Sequence, residues 1–273
     1  MSIELKQRPM NDWIFKRIFG DKRYIHHLKG FLSALLSFDK DELTEVVIQN
    51  PFTAQDTPDD KFGILDVSVT TASGNQVNLE VQVSPQPDLG DRLVFYVSNL
   101  AARQEIAGKP YGEMAQSISI CILDHVMSDD IDDYHLIYRL HDIAHGKCLS
   151  DKIEVHILEL PKLPEKDSDP LWSWLSYFKS RTEEDLEVAA AQSKEVELVV
   201  TTFKKLTADQ LEMQRLYDYE KKQRDIASER WHALHNAAVE TAKRLLIMGI
   251  SPEQVAKGTE LDLKEVNKLA QEL

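Results

Sequence analysis

Cysteine occurs only at positions 121 and 148 of this 273-residue chain, which leaves room for one bridge and excludes a disulfide scaffold. No apolar run approaches the ~20 residues of a membrane span. The opening residues, MSIELKQRPMNDW, lack the apolar centre of a signal peptide. From these absences we expect a cytoplasmic protein with reduced thiols and no membrane partner. An excess of positive charge is missing too: 32 Lys and Arg stand against 46 Asp and Glu, a formal net charge of -14. A protein that holds nucleic acid through phosphates alone is normally basic, so the balance argues against a generic binder. It is compatible with a site built from acids around a cation, or with a local basic patch. Internal repeats and low-complexity tracts are absent, and beyond residue 165 glycine occurs only at 249 and 258.

What is present is an ordinary globular composition, 42% hydrophobic and 29% charged. The chain changes character at Pro161–Pro170, PKLPEKDSDP. Before it, β-branched runs alternate with turns. Apolar spacing predicts helices over Asp12–Phe19, Tyr24–Leu36 and Asp91–Ala107. Strands are expected at Glu45–Asn50, Ser117–Leu123, Leu136–Leu140 and Ile153–Leu160, with a hairpin within Gly63–Val83. After the boundary helix formers dominate, and helices are expected over Leu171–Phe178, Glu183–Phe203 and Ala208–Met248. The expected fold class is α/β, a mixed sheet flanked by helices, followed by an all-α region ending in a helix–turn–helix. We place the divisions at 1–165, 166–246 and 247–273.

The hairpin reads GILDVSVTTASGNQVNLEVQV. Alternation puts Val67 and Val69 with Val77, Leu79 and Val81 on one face. Asp66, Ser68, Asn78, Glu80 and Gln82 share the other. A loop of Ser73-Gly74-Asn75 keeps the apolar faces together and pairs Val69 with Leu79, Val67 with Val81 and Ser68 with Glu80. Asp66 and Glu80 are then diagonal neighbours, roughly 7 Å apart or less at Cβ. Two carboxylates that close repel unless a proton or cation lies between them. Spacing alone favours a half-exposed hairpin whose outer face holds two acids over a shared metal site.

Other residues carry chemistry. Arg92, Tyr96, Asn99 and Arg103 recur at helical spacing opposite Leu93, Val97 and Leu100, as phosphate contacts or as a solvated face. His141, His145 and Cys148 have a spacing zinc accepts, but a fourth ligand is missing and we read a polar loop. His232 and His235 beside Trp231 read as surface packing. Trp172-Ser173-Trp174 is expected to anchor the first helix beyond the boundary. In the tail, Gly249 ends a helix, Ser251 caps the next, Pro252 sits at its first position, and Asp262 caps the last. Residues 249–273 hold three Lys and five acids, a net of -2. That charge gives protein–protein contact, including homo-oligomerisation through the helical C-terminal region, at least equal standing with DNA binding.

The ordered series Asp12-Trp13-Ile14-Phe15-Lys16-Arg17-Ile18-Phe19-Gly20, Leu65-Asp66-Val67, Glu80-Val81-Gln82, an Arg/Tyr helix and an apolar strand resembles one family. It is similar to the Rpn-type recombination-promoting nucleases and transposases of the PD-(D/E)XK superfamily, over about Asp12 to Leu163 and again in the tail AKRLLIMGISPEQVAKGTELDLKEV. The resemblance implies a PD-(D/E)XK-like nuclease domain over 1–165 and a Mg²⁺-dependent DNA endonuclease, with Mn²⁺ as a substitute. It places the chain in a bacterial or mobile-element setting of recombination, transposition or defence. Carried over by position, Asp66 and Glu80 become metal ligands, with Asp12 as a third acid. Gln82 takes the place of the superfamily's Lys and can only orient a water or phosphate by hydrogen bonding. Lys16, Lys61 and Arg92 are candidate replacements for the charge. Arg92, Tyr96 and Lys16 are the DNA-contact candidates. The alternatives are a nuclease fold kept as a non-catalytic binding module, which Gln82 in place of Lys would mark, and a regulatory helix–turn–helix protein.

Overall fold

The computed structural model describes residues 3–38, 41–49, 67–104 and 110–272. Helix α1 spans Asp12–Phe19, with Asn11 accepting from the N–H groups of Trp13 and Ile14. Helix α2 spans Ile25–Leu36 and is followed by the short strand β1, Val47–Ile48. The hairpin is β2, Val67–Thr70, and β3, Gln76–Gln82. Helix α3 runs Leu89–Ala102, starting two residues before the expected position. Strands β4, Ser117–Leu123, β5, His135–His141, and β6, Cys148–Glu159, complete the sheet. The helices that follow are α4, Pro170–Lys179, α5, Glu183–Ala190, and α6, Lys194–Ala208. Helix α7 is Gln210–Ile247, α8 is Pro252–Thr259 and α9 is Leu263–Glu272. The single helix expected over Glu183–Phe203 is therefore two. Ser193 accepts from the Val196 N–H and starts a new helix there.

The sheet is mixed, in the order β1-β2-β3-β4-β6-β5. Its inner strands β3, β4 and β6 run parallel; the other pairings are antiparallel. Parallel neighbours need crossovers, and α3 supplies the one between β3 and β4. On one face Leu89, Leu93 and Val97 of α3 bury Cys121, Leu123, Leu136, Val155 and Ile157. On the other face Val67, Val69, Val77, Leu79, Ile118, Ile120 and Ile122 are buried. The run Ser117–Leu123 is dry on both sides, as a central parallel strand must be.

The hairpin register differs from the expected one by two residues. Val67 pairs with Leu79, Ser68 with Asn78 and Val69 with Val77. The Thr71 N–H bonds the Asn75 carbonyl at 3.0 Å, so the loop is Ala72-Ser73-Gly74, with Gly74 at φ +89. A shift of two leaves every side chain on its expected face.

The chain folds as two units, Met1–Leu216 and Tyr217–Leu273. Within the first unit α4 packs against α2, α5 and α6. Phe15, Phe19, Phe31, Trp174 and Phe178 form an aromatic cluster with centroid separations from 5.0 to 6.3 Å. Trp174 lies against Gly30, where an added Cβ would come within 2.9 Å of its ring. Trp172 donates its indole N–H to the Pro164 carbonyl. Both tryptophans thus fasten α4 to what precedes it. Buried Arg17 forks to Glu212, at 2.8 Å from Oε1 and 3.1 Å from Oε2, and reaches Asp21 at 2.6 Å. Within the second unit Ala242, Val255, Leu261 and Val266 make a small core. Ser251 caps α8 with Pro252 at its start, and Asp262 accepts from the Lys264 N–H at the start of α9. Among the described residues no helix is long and apolar enough to cross a membrane.

Candidate active site

Glu80 sits in the middle of β3, opposite Cys121 of the parallel neighbour β4. Because α3 covers this face, the polar side of the hairpin is not a solvated edge: Glu80 is 5% exposed, Ser68 7% and Asn78 0%. An acid held there must be paired, protonated or bound to a cation.

Its Oε1 accepts from two groups. Gln82, two residues on and half-buried, donates its side-chain N–H to this oxygen. Arg92 Nη2, from the first turns of α3, lies 2.9 Å away. Among the described residues Glu80 Oε2 has no hydrogen-bond partner, although it is buried. Burial is the largest influence on this carboxyl and pushes its pKa above the ordinary value. The Gln82 hydrogen bond and the charges of Arg92 and Lys16 pull against it, while Asp12 adds to the rise. Helices α1 and α3 therefore both bring charge to the same carboxylate.

Arg92 is itself oriented. Gln86 accepts from its Nη1, the Tyr96 hydroxyl lies 3.3 Å from Nη2, and the guanidinium stands 5.6 Å from the Tyr96 ring centroid. Tyr96 and Asn99 are half-buried and Arg103 is exposed, so the helical stripe divides into a site end and a solvated end. On α1, Lys16 Nζ lies 3.1 Å from Asp12 Oδ1 in an i,i+4 pair. Of the residues expected at the site, Glu80, Gln82, Arg92 and Tyr96 form one contact network, while Asp12 and Lys16 of α1 influence Glu80 through charge. Asp66, which immediately precedes β2, and Lys61 lie outside the described residues.

Gln86 was not foreseen, because it lies in the turn before α3, where no periodicity operates. Asn78 and Ser119 were not singled out either. They pair across β3 and β4 beside Glu80, both fully buried, and neither side chain has a partner among the described residues. Alternation had already placed Asn78 on Glu80's face, and that was the available signal.

The histidine and cysteine positions whose spacing suggested a ligand set hold no comparable cluster. His141 contacts the Gly146 carbonyl, His145 pairs with Asp142, and Cys148 is exposed and free. Trp231 stacks on His235, which bonds Glu265. Among the described residues no group of three or more His, Cys, Asp or Glu side chains could hold a metal ion. For Glu80 itself the chemistry fits a hard cation: a buried carboxylate oxygen left over after its partner oxygen is held.

The fold around the site is a mixed sheet with helices packed on it and a buried acid, Glu80, on an inner strand. The model of the PD-(D/E)XK nuclease family transposases matches residues 9–232, and the chain belongs to that family. Comparison with curated proteins found no match, and comparison with solved structures found none. Family membership supports a nuclease or transposase role with DNA as substrate, in a class that typically uses divalent metals.

Proposed function

We propose that the chain is a Mg²⁺-dependent DNA endonuclease, with Mn²⁺ able to replace Mg²⁺, working in recombination, transposition or defence. The observation that carries the reading is the buried Glu80 carboxylate, held on Oε1 by Gln82 and Arg92, with an Oε2 that has no hydrogen-bond partner among the described residues. Asp66 joins it as the second ligand, since it is bonded to Val67 and Val67 pairs with Leu79, the residue before Glu80. Asp12 is the third acid. The bound metal would acidify the attacking water and offset the charge that develops on the phosphate.

The chain's own residues do the rest. Gln82 keeps the Glu80 carboxylate oriented and offers its amide to water or a phosphate oxygen. Arg92 fixes the same carboxylate and, with Tyr96, faces the phosphate backbone. Lys16 supplies positive charge from α1, in part replacing the Lys that position 82 lacks. Helices α8 and α9 form a helix–turn–helix that docks the enzyme on DNA or on another protein.

The test is plasmid cleavage with Mg²⁺ and with EDTA, comparing wild type with Asp66→Ala and Glu80→Ala. Cleavage is expected only for wild type with metal; equal cleavage in all samples removes the assignment. A second reading, a nuclease fold kept for binding, is favoured by Gln82 in place of Lys and by the engagement of Glu80 with Arg92. It predicts a folded protein that takes up neither Mg²⁺ nor Mn²⁺ in calorimetry.

A further inference from the structure

Strand β5 is an edge: among the described residues it pairs with β6 alone. The Glu159 N–H donates to the Tyr134 carbonyl. In an antiparallel ladder hydrogen-bonded positions alternate, so Leu136 and Tyr138 bond to β6, while His135, Ile137 and Arg139 turn their N–H and C=O groups outward. Exposed edges in monomeric proteins are usually short, charged or covered. This one presents Ile137 at 49%, Tyr138 at 46% and Leu140 at 44% exposure. Its one fixed charge, Arg139, is drawn back onto Glu154 of β6 at 2.6 Å and does not shield it.

The strand reads His135-Leu136-Ile137-Tyr138-Arg139-Leu140-His141, nearly the same in both directions. We infer that β5 is a self-association surface, pairing antiparallel with β5 of a second copy about a two-fold axis at Tyr138. A two-fold contact requires a self-complementary patch, and the near-palindrome supplies one. In this register Ile137 and Arg139 of the two copies exchange backbone hydrogen bonds, which uses the groups that point outward. Tyr138 opposes Tyr138, and Leu136 opposes Leu140. These are non-hydrogen-bonded pairs, where side chains approach most closely. Leu136 belongs to the core under α3. The exposed Leu140 of one copy therefore extends the buried apolar face of the other. The register shifts at Arg139/Leu140 and Leu140/His141 place their extra residues on β6 and leave β5 continuous. The added twist suits a two-stranded contact. The second copy is favoured over a foreign strand because the matched residues sit within one sequence.

The test uses the full chain. Sedimentation equilibrium should show a reversible dimer with a dissociation constant on the order of micromolar, as a small edge contact implies. Tyr138→Lys, at an exposed position, should weaken it at least about tenfold by opposing two charges on the axis. In a Cys148→Ser background, Tyr138→Cys should cross-link to its counterpart under mild oxidation, because directly opposed residues fall within disulfide reach. Arg139→Cys, which faces Ile137 of the other copy, should not. The inference is overturned by a chain that stays monomeric at about a hundred micromolar. A dimer indifferent to Tyr138→Lys, or Arg139→Cys linking as fast as Tyr138→Cys, also overturns it. If Tyr138→Lys proves unfolded by circular dichroism, the two cysteine variants decide.

Discussion

Arg92 reaches from α3 to β3, its Nη2 standing 2.9 Å from Glu80 Oε1, while Gln86 accepts from its other terminal nitrogen. The guanidinium is thus a bracket between the turn that opens α3 and the acid beneath it. Removing it leaves Glu80 buried with Gln82 as its one remaining donor among these contacts. Arg92→Ala is expected to lower metal affinity or cleavage by about 10–100-fold, the usual range for a group that orients a ligand. Arg92→Lys should recover only part, because a point charge cannot hold Gln86 and Glu80 together. Manganese titration and plasmid cleavage measure both; an Arg92→Ala protein as active as wild type would remove Arg92 from the site.

Gln82 poses a separate question. If its amide orients Glu80 and a water, Gln82→Ala should reduce cleavage by roughly 10-fold or more. Gln82→Lys, which introduces the residue type usual in the superfamily, should preserve or raise the rate. Unchanged rates in both variants would mean that position 82 takes no part in the reaction.

Gly30 tests the packing that holds α4 to α2. A Cβ there would stand 2.9 Å from Trp174 Cζ2, and the ring is wedged among Phe19 and Phe31 with little room to retreat. Gly30→Ala should destabilise by about 1–3 kcal/mol, despite alanine's better helix propensity. Pairing it with Trp174→Phe should recover part of the loss. A higher melting temperature for Gly30→Ala alone would contradict the close packing.

Two histidines should make stability depend on pH. Burial lowers His27 to about 4, with the neighbouring His26 adding to the effect. Burial likewise lowers His135 to about 4, with His156 contributing. Their folded values lie below the ordinary 6.5, so between pH 6.5 and 4 the unfolded chain binds protons that the folded chain refuses. Stability should therefore be full above pH 6.5 and fall as the pH drops towards 4. Urea unfolding across that window should show each of His27→Gln and His135→Gln reducing the slope by about one proton. Identical slopes for wild type and both variants would refute it.

Much of the architecture was legible because local patterns decide it. Period-two alternation assigned the faces of β2 and β3, and a continuous apolar run marked β4 from Ser117 to Leu123, with the bounds the structure shows. The α5–α6 break was available in Ser193, a capping residue inside a helical pattern. The hairpin register was not. Two alignments that differ by two residues satisfy alternation equally, and the choice came from the Thr71–Asn75 hydrogen bond and the positive φ of Gly74.

The sequence by itself determined which residues share a face, where helices cap, and that Glu80 and Gln82 point the same way. The tertiary structure alone decided that this polar face is buried. Parallel pairing of β3, β4 and β6 demands a crossover, and α3 lays Arg92 and Tyr96 over Glu80. Charge and burial meet there because long-range packing, not spacing along the chain, sets the surroundings of an ionisable group.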